Sequence, residues 1–493
     1  RTRDPRVARR AVEMAQFARA PQIALDAARI WQEADPTSMQ ALQTLVVLLV
    51  AAKRVEETEP YLARLLAADA NAAPNLFMQF GRLFAGSADP AANLRVLRKL
   101  AERHAALPQA HFAVAQAANA AKEEALALEE VRRAAALRPD WEAPAIFEAQ
   151  LLQRRSAGEA ARRLADFLEK NPGSRDVRIN YARLLVMDRR PAEARAQLED
   201  IARRFENDPD ALYTVGLLAL QSKEHGVAES SLKRVLTLKF RDPDAALYAL
   251  GQVAEERRDW AGAIEWYKKI ERGEQALGAR MRTANAMAKL GRLEEARAFL
   301  RAVAAQNEPQ RVQLLVAESQ LLRDANQNQA AFDLLGEALA KVPDQPDLLY
   351  DHALTAEKLD RFDVLETNLK RLIQLKPDYA HAYNALGYSF ADRNIRLDEA
   401  RQLIEKAVSL APGDFFIVDS LGWVLYRMGD LKGALTHLRN AWQGRPDGEI
   451  GAHLGEVLCV AGDREEARRI WREAQKLAPE NDTLLKTLKR FAP

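Results

Sequence analysis

Apolar residues in this chain recur three and four apart along helix-length stretches, each broken by a short polar turn. That spacing predicts amphipathic helices in antiparallel pairs rather than strands. The segment SLGWVLYRMGDLKGALTHLRNA (420–441) shows the plan: Leu-Gly, an apolar residue three on, a polar turn, Ala, a bulky apolar residue four on and Ala three after that. ALGYSFADRNIRLDEARQLIEKA (385–407) repeats it with one extra residue at the turn, and HLGEVLCVAGDREEARRIWREA (453–474) repeats it again. With Leu-Gly set at positions 7 and 8, repeats begin at 5, 39, 74, 108, 141, 175, 209, 244, 277, 312, 346, 380, 415 and 448. A fixed period of this kind decides the fold before any local feature does.

Position 8 is Gly, Ala or Ser in eleven of these fourteen repeats and position 20 is Ala in eleven. Two antiparallel helices approach most closely where side chains are smallest, so these positions set the crossing point. Larger apolar residues at 4, 7, 11, 24 and 27 fill the rest of the interface. Pro occupies position 32 in eight repeats (Pro36, Pro139, Pro172, Pro343, Pro377, Pro412, Pro446 and Pro479) and is expected to end the second helix, because it lacks an N–H and clashes with the preceding turn. Asp35, Asp378 and Asn481 beside such prolines are expected to cap the next helix. Thr58, Asn93 and Leu365 stand where Ala is expected, and Glu148 falls on a packing position, as if the register of repeat five were off by one.

The period and residue types together resemble the tetratricopeptide repeat (TPR), a helix–turn–helix unit that stacks into a solenoid because one unit cannot bury its own apolar face. The resemblance implies an all-α, right-handed superhelix of about fourteen repeats. No linker interrupts the period, so residues 1–481 read as one continuous solenoid and NDTLLKTLKRFAP (481–493), essentially 482–493, as a C-terminal capping helix. The opening RTRDPRVARR starts inside a repeat without Met, and the natural N-terminus is expected upstream.

Composition narrows the function classes. Net charge is +2 from 72 basic and 70 acidic residues, which supplies no basic stripe for nucleic acid. The longest apolar run, LVVLLVAA (45–52), is far shorter than the ~20 residues that span a bilayer. Any signal segment is expected upstream of residue 1. Cys459 is the only cysteine, so no internal disulfide forms, and it reads as a small buried hydrophobe. No phosphate-binding loop, nucleophile elbow or zinc-protease motif is present, and no two of the seven histidines lie three or four apart. Carboxylate pairs such as Glu294-Glu295 and Glu465-Glu466 sit where second helices begin and the dipole favours negative charge. The expectation is a protein that is not an enzyme and needs no cofactor or metal.

In TPR proteins positions 2, 5, 9, 12 and 13 face the concave groove, and these positions gather two apolar-aromatic patches. One comprises Tyr213, Leu217 and Tyr248, with Ile179, Val186, Met187 and Leu220. The other comprises Tyr350, Leu354, Asn384, Tyr388, Trp423, Tyr426 and Arg427, with Asp419 and Asp392 at its edge. Aromatics, Arg and Asn give rigid area with a polar handle, the composition of interface hot spots. Trp423 at position 9 is a residue that the fold does not need. No repeat completes the Lys/Asn set that clamps a chaperone's terminal carboxylate; repeat nine has Asn285 and Lys289 but Met281.

The run from AYNALGYSF to GALTHLRNA (382–441), with TRDPRVARRAVEMAQFARA near the N-terminus, resembles Gram-negative outer-membrane TPR lipoproteins that serve as adaptors of a periplasmic carboxyl-terminal processing protease. The resemblance implies a scaffold that binds and activates a Ser–Lys protease and delivers protein substrates such as peptidoglycan (cell-wall) hydrolases to it. The periplasmic, outer-membrane address, with membrane attachment only through an upstream lipid anchor, follows from the resemblance alone. A scaffold of an exopolysaccharide secretion complex, a cytoplasmic assembly scaffold and the regulatory arm of an enzyme are the competing expectations.

Overall fold

The computed structural model describes residues 4–85 and 88–491. Among the described residues it contains 29 α-helices, two short 3-10 helices (Val55–Thr58 and Ala70–Ala72) and no strand. The first 28 α-helices form fourteen helix–turn–helix pairs, from Pro5–Phe17 with Pro21–Ala34 to Gly448–Val460 with Arg464–Leu477, and Asp482–Phe491 follows as a single terminal helix. The chain divides into two compact units, residues 1–257 and 258–493, parted in the turn of repeat eight.

The crossing points are those the sequence calls for. All eleven position-20 alanines, Ala24, Ala127, Ala160, Ala194, Ala228, Ala263, Ala296, Ala331, Ala400, Ala434 and Ala467, have no exposed surface. Opposite them a side chain on Gly387 would meet the backbone oxygen of Ala400 at 2.8 Å, and one on Gly422 would meet Leu438 Cγ at 2.6 Å. Thr58 and Leu365 are as buried as the alanines they replace, and Asn93 is 4 % exposed. Thr58 Oγ1 donates to the Val55 carbonyl at 2.6 Å and Asn93 Nδ2 to the Phe84 carbonyl at 3.1 Å, so neither brings an unmatched donor into the interface.

The turns follow backbone sterics. In all eight proline-terminated repeats the helix ends two residues before Pro. The residue between, from Asp35 to Ala478, sits at φ from −130° to −150° and ψ from 64° to 91°. Proline Cδ excludes the α region for its predecessor, which stops the helix there. In twelve of the fourteen repeats the internal turn uses a left-handed residue at position 15: Arg19, Lys53, Lys122, Arg189, Lys223, Arg258, Asn326, Asp360 and Asn394, or Gly291, Gly429 and Gly462. At Gly429 the turn closes with Asp430 N to Leu425 O at 2.9 Å and Gly429 N to Tyr426 O at 2.9 Å, the Schellman pattern.

Three capping expectations divide. Asn481 Oδ1 does accept from Leu484 N at 2.9 Å. Asp35 instead ends its helix while Ser38 caps the next, accepting from Ala41 N at 3.2 Å. After Pro377 the N-cap residue is Tyr379, without a side-chain bond, rather than Asp378. Glu148 is in register after all: it is 3 % exposed and held by Arg132 Nε at 2.7 Å and Arg163 Nε at 2.5 Å. Cys459 is half-buried against the core of the C-terminal unit, less enclosed than its position implied.

Candidate protein-binding surface

In the C-terminal unit the first helices of repeats twelve, thirteen and fourteen, Ala380–Asp392, Phe415–Arg427 and Gly448–Val460, pack side by side. Period 3.6 places positions 5, 9, 12 and 13 of each along one wall. The second predicted patch therefore assembles around an unforeseen residue, His453. Its Nδ1 lies 2.8 Å from Asp419 Oδ2, and its ring stacks on Trp423 with centroids 4.2 Å apart. Tyr388 Oη lies 3.4 Å from His453 Nε2 and 3.4 Å from Glu449 Oε1. Tyr426 Oη donates to Glu456 Oε1 at 3.1 Å, and Arg490 of the terminal helix pairs with the same carboxylate.

Burial sets the electrostatics. It opposes the charge on His453, yet the adjoining Asp419, Glu449 and Glu456 override it and hold the imidazole above its ordinary value. Burial pushes the Glu449 carboxyl up. It raises the Tyr388 phenol well above its usual value and Tyr350 to about 12, in each case reinforced by neighbouring negative charge. His453 is 2 % exposed, with one face under Trp423 and Nδ1 engaged by Asp419. A general base must reach its substrate, which this imidazole does not. Among the described residues no group of three or more His, Cys, Asp or Glu is arranged to hold a metal ion.

The expectation that the fold leaves Trp423 spare does not hold. It is 5 % exposed, belongs to the core of the C-terminal unit, and carries Arg427 Cζ 5.9 Å from its ring. Asp419 is likewise interior rather than at an edge, at 4 % exposure. Tyr350, Leu354, Asn384, Tyr388, Tyr426 and Arg427 are half-buried and form the accessible part of the wall, while Asp392 is exposed. Tyr350 packs on Tyr379 at 5.6 Å. The Oδ1 of Asn384 and of Asp419 and the Nε1 of Trp423 are buried and unbonded.

The first patch lies in the N-terminal unit on Arg175–Met187, Pro209–Gln221 and Pro243–Glu256. Tyr213 is half-buried against Phe240 at 5.0 Å, Leu217 and Met187 are exposed, and Tyr248 is half-buried. Ile179 belongs to the core, and Val186 and Leu220 are half-buried.

Helix pairs of this period, crossing at small residues, define a repeat scaffold, and comparison with known proteins agrees. Family models described as tetratricopeptide repeat match residues 151–218, 213–276 and 350–415. The TPR repeat-containing protein PA4667 of Pseudomonas aeruginosa is 34% identical over 497 residues, covering 100% of this chain and 83% of that protein. The chain belongs to the tetratricopeptide-repeat family. It is also similar to cellulose synthase operon protein C of Pseudomonas fluorescens, at 25% identity over 68% of this chain but only 25% of that protein. Among solved structures, yeast Tom70 covers 86% of this chain and 95% of its own at 15% identity and a TM-score of 0.40, a likeness too loose to carry an argument. As a TPR protein the chain is a protein–protein interaction scaffold.

Proposed function

We propose that this scaffold is the adaptor of a periplasmic carboxyl-terminal processing protease, binding and activating the Ser–Lys enzyme and presenting protein substrates such as cell-wall hydrolases to it. The observation that carries a polypeptide ligand is the wall of Tyr350, Asn384, Tyr388, Tyr426 and Arg427. These side chains are half-buried, with Tyr388 against His453 and Tyr426 and Arg427 against Trp423, and are available to contact an extended segment or helix. The protease assignment rests on the resemblance of residues 382–441 to the lipoprotein adaptors. On this reading the protein faces the periplasm and is tethered to the outer membrane by a lipid anchor upstream of residue 1. No helix among the described residues is long and apolar enough to cross a membrane itself.

The test is reconstitution. Purified protein should co-purify with the carboxyl-terminal processing protease from an envelope extract and raise its rate on a cell-wall hydrolase at least tenfold. Co-purification with an exopolysaccharide secretion complex instead, or no change in proteolytic rate, would refute the adaptor reading in favour of the alternative scaffold.

A further inference from the structure

Later repeats turn one face toward the repeat before them. Position 26 shows this directly: Arg64 donates to the Pro36 carbonyl, Lys99 Nζ meets Glu59 Oε2 at 2.7 Å and Arg371 Nε meets Asp344 Oδ1 at 2.8 Å, each partner lying one repeat back. Positions 3 and 10 are enclosed in later repeats, with no exposed surface at Ile417, Ile450, Val424 or Val457. In repeat one these three positions carry Val7, Met14 and Ile30, which are 53 %, 62 % and 47 % exposed, and Ile23, one heptad before Ile30, is 63 % exposed. On helix Pro5–Phe17 the Val7–Met14 stripe runs about 110° round from the buried Ala8, Val12 and Ala15. On Pro21–Ala34 the Ile23–Ile30 stripe runs about 110° round, in the same sense, from the middle of the buried side. Antiparallel pairing brings the two stripes onto one face. A solenoid end normally carries a polar outer face, as the terminal helix does with Lys486 and Lys489 exposed. Repeat one carries four large apolar side chains instead.

The face is self-complementary in charge. Exposed Arg6 and Arg10 border the first stripe, near Asp4 at 3.0 Å and Glu13 at 2.9 Å. Exposed Asp26 and Glu33 border the second, and Asp26 accepts from the uncharged Gln22 at 3.0 Å. Val12 and Ala24 hold positions 8 and 20 at the crossing point. A rise of ~1.5 Å per residue then sets Met14 level with Ile23, Val7 with Ile30 and Arg10 with Asp26, each within ~2 Å. A two-fold axis parallel to the helices preserves those levels and lays the basic edge on the acidic one. An axis across the helices would set basic edge on basic edge. We propose that repeat one is a self-association surface, on which two copies of this chain dock about the parallel axis, the first helix of each on the second helix of the other, with Met14 on Ile23 and Arg10 beside Asp26. Helices ~20 Å long and ~10 Å wide project a face of about 400 Å² per copy, the low end for specific interfaces, so the dimer is weak, with a Kd of about 10–100 µM. This surface stands independently of the protease assignment.

Sedimentation equilibrium of the whole chain between about 1 and 200 µM tests it. The mass should rise from 55.1 kDa toward twice that value and stop there. Met14→Glu with Ile30→Glu should weaken association at least tenfold with an unchanged melt, because both side chains are exposed. Arg10→Glu and Asp26→Arg should each weaken it alone, and an equimolar mixture of the two should associate as the wild type does, since each contact then regains opposite charges. If the apolar double variant melts lower, the mixture decides. A monomer throughout would overturn the proposal and leave the face to an internal segment or a different protein. Growth beyond a dimer would overturn the two-fold arrangement, and a dimer indifferent to these substitutions, or a mixture that fails to recover, would overturn the surface.

Discussion

Asp419 and His453 meet 2.8 Å apart although 34 residues separate them, position 5 of one repeat reaching position 6 of the next. Each is almost fully enclosed, and the imidazole is held above its ordinary value by the carboxylates around it, Asp419, Glu449 and Glu456. A histidine raised in the folded state stabilises it fully below the unfolded value of 6.5, and that contribution is lost as pH rises through the folded value. Glu449, also raised, contributes fully below 4.5 and loses its contribution on the same rising side. Urea unfolding of the C-terminal unit should therefore show stability falling as pH increases from about 6 to 8. His453→Gln should flatten that slope, and a wild-type stability that climbs over this range would exclude the pairing.

Glycines at the same repeat position should respond with opposite sign. At Gly387 a methyl group would meet Ile404 Cγ1 at 2.7 Å and the Ala400 carbonyl at 2.8 Å, the latter being backbone that cannot step aside. Gly387→Ala should cost about 1–3 kcal/mol. At Gly81 the neighbour is the end of the flexible Gln116 side chain, so Gly81→Ala should be neutral or gain up to ~1 kcal/mol from helix propensity. Thermal melts of the two variants, read against one another, check the crossing geometry.

The left-handed turns offer a gain. Lys122 at φ 64° and Lys223 at φ 62° hold a conformation that disfavours side chains by ~1–2 kcal/mol, where other repeats use Gly. Lys122→Gly should raise the melting temperature and Gly429→Ala, at φ 88°, should lower it. A fall in the melt for Lys122→Gly would show that its side chain contributes more than the backbone costs.

Much of this architecture is legible in sequence because the repeats restate it. Small residues at 8 and 20 and Pro at 32 recur often enough to fix helix pairs, crossing points and helix ends. What fails is whatever one repeat does alone. Glu148 looks like a register slip because burial of a carboxylate depends on Arg132 and Arg163, whose reach across helices no period encodes. His453 stays hidden among unpaired histidines because its partner is one repeat away, and Trp423 looks idle because the ring that covers it is that same histidine. Asn93 is visible as a departure, but only the structure shows which of its amide atoms is spent.

Trp423 and the wall above it should separate stability from binding. Because Trp423 is interior, Trp423→Ala should cost about 3–5 kcal/mol, which disqualifies it as a probe of partner contact. Asn384 and Arg427 are the better pair: both are half-buried, Asn384 Oδ1 has no partner, and Arg427 only leans over the Trp423 ring at 5.9 Å. The double variant Asn384→Ala, Arg427→Ala should weaken capture of the protease at least tenfold, ~1.4 kcal/mol, with the melt shifted by no more than ~2 °C. Calorimetric binding beside the melt of the same preparation checks it. Unchanged affinity at an unchanged melt would remove this wall from partner recognition and move the search to Leu217 and Met187, exposed on the other patch.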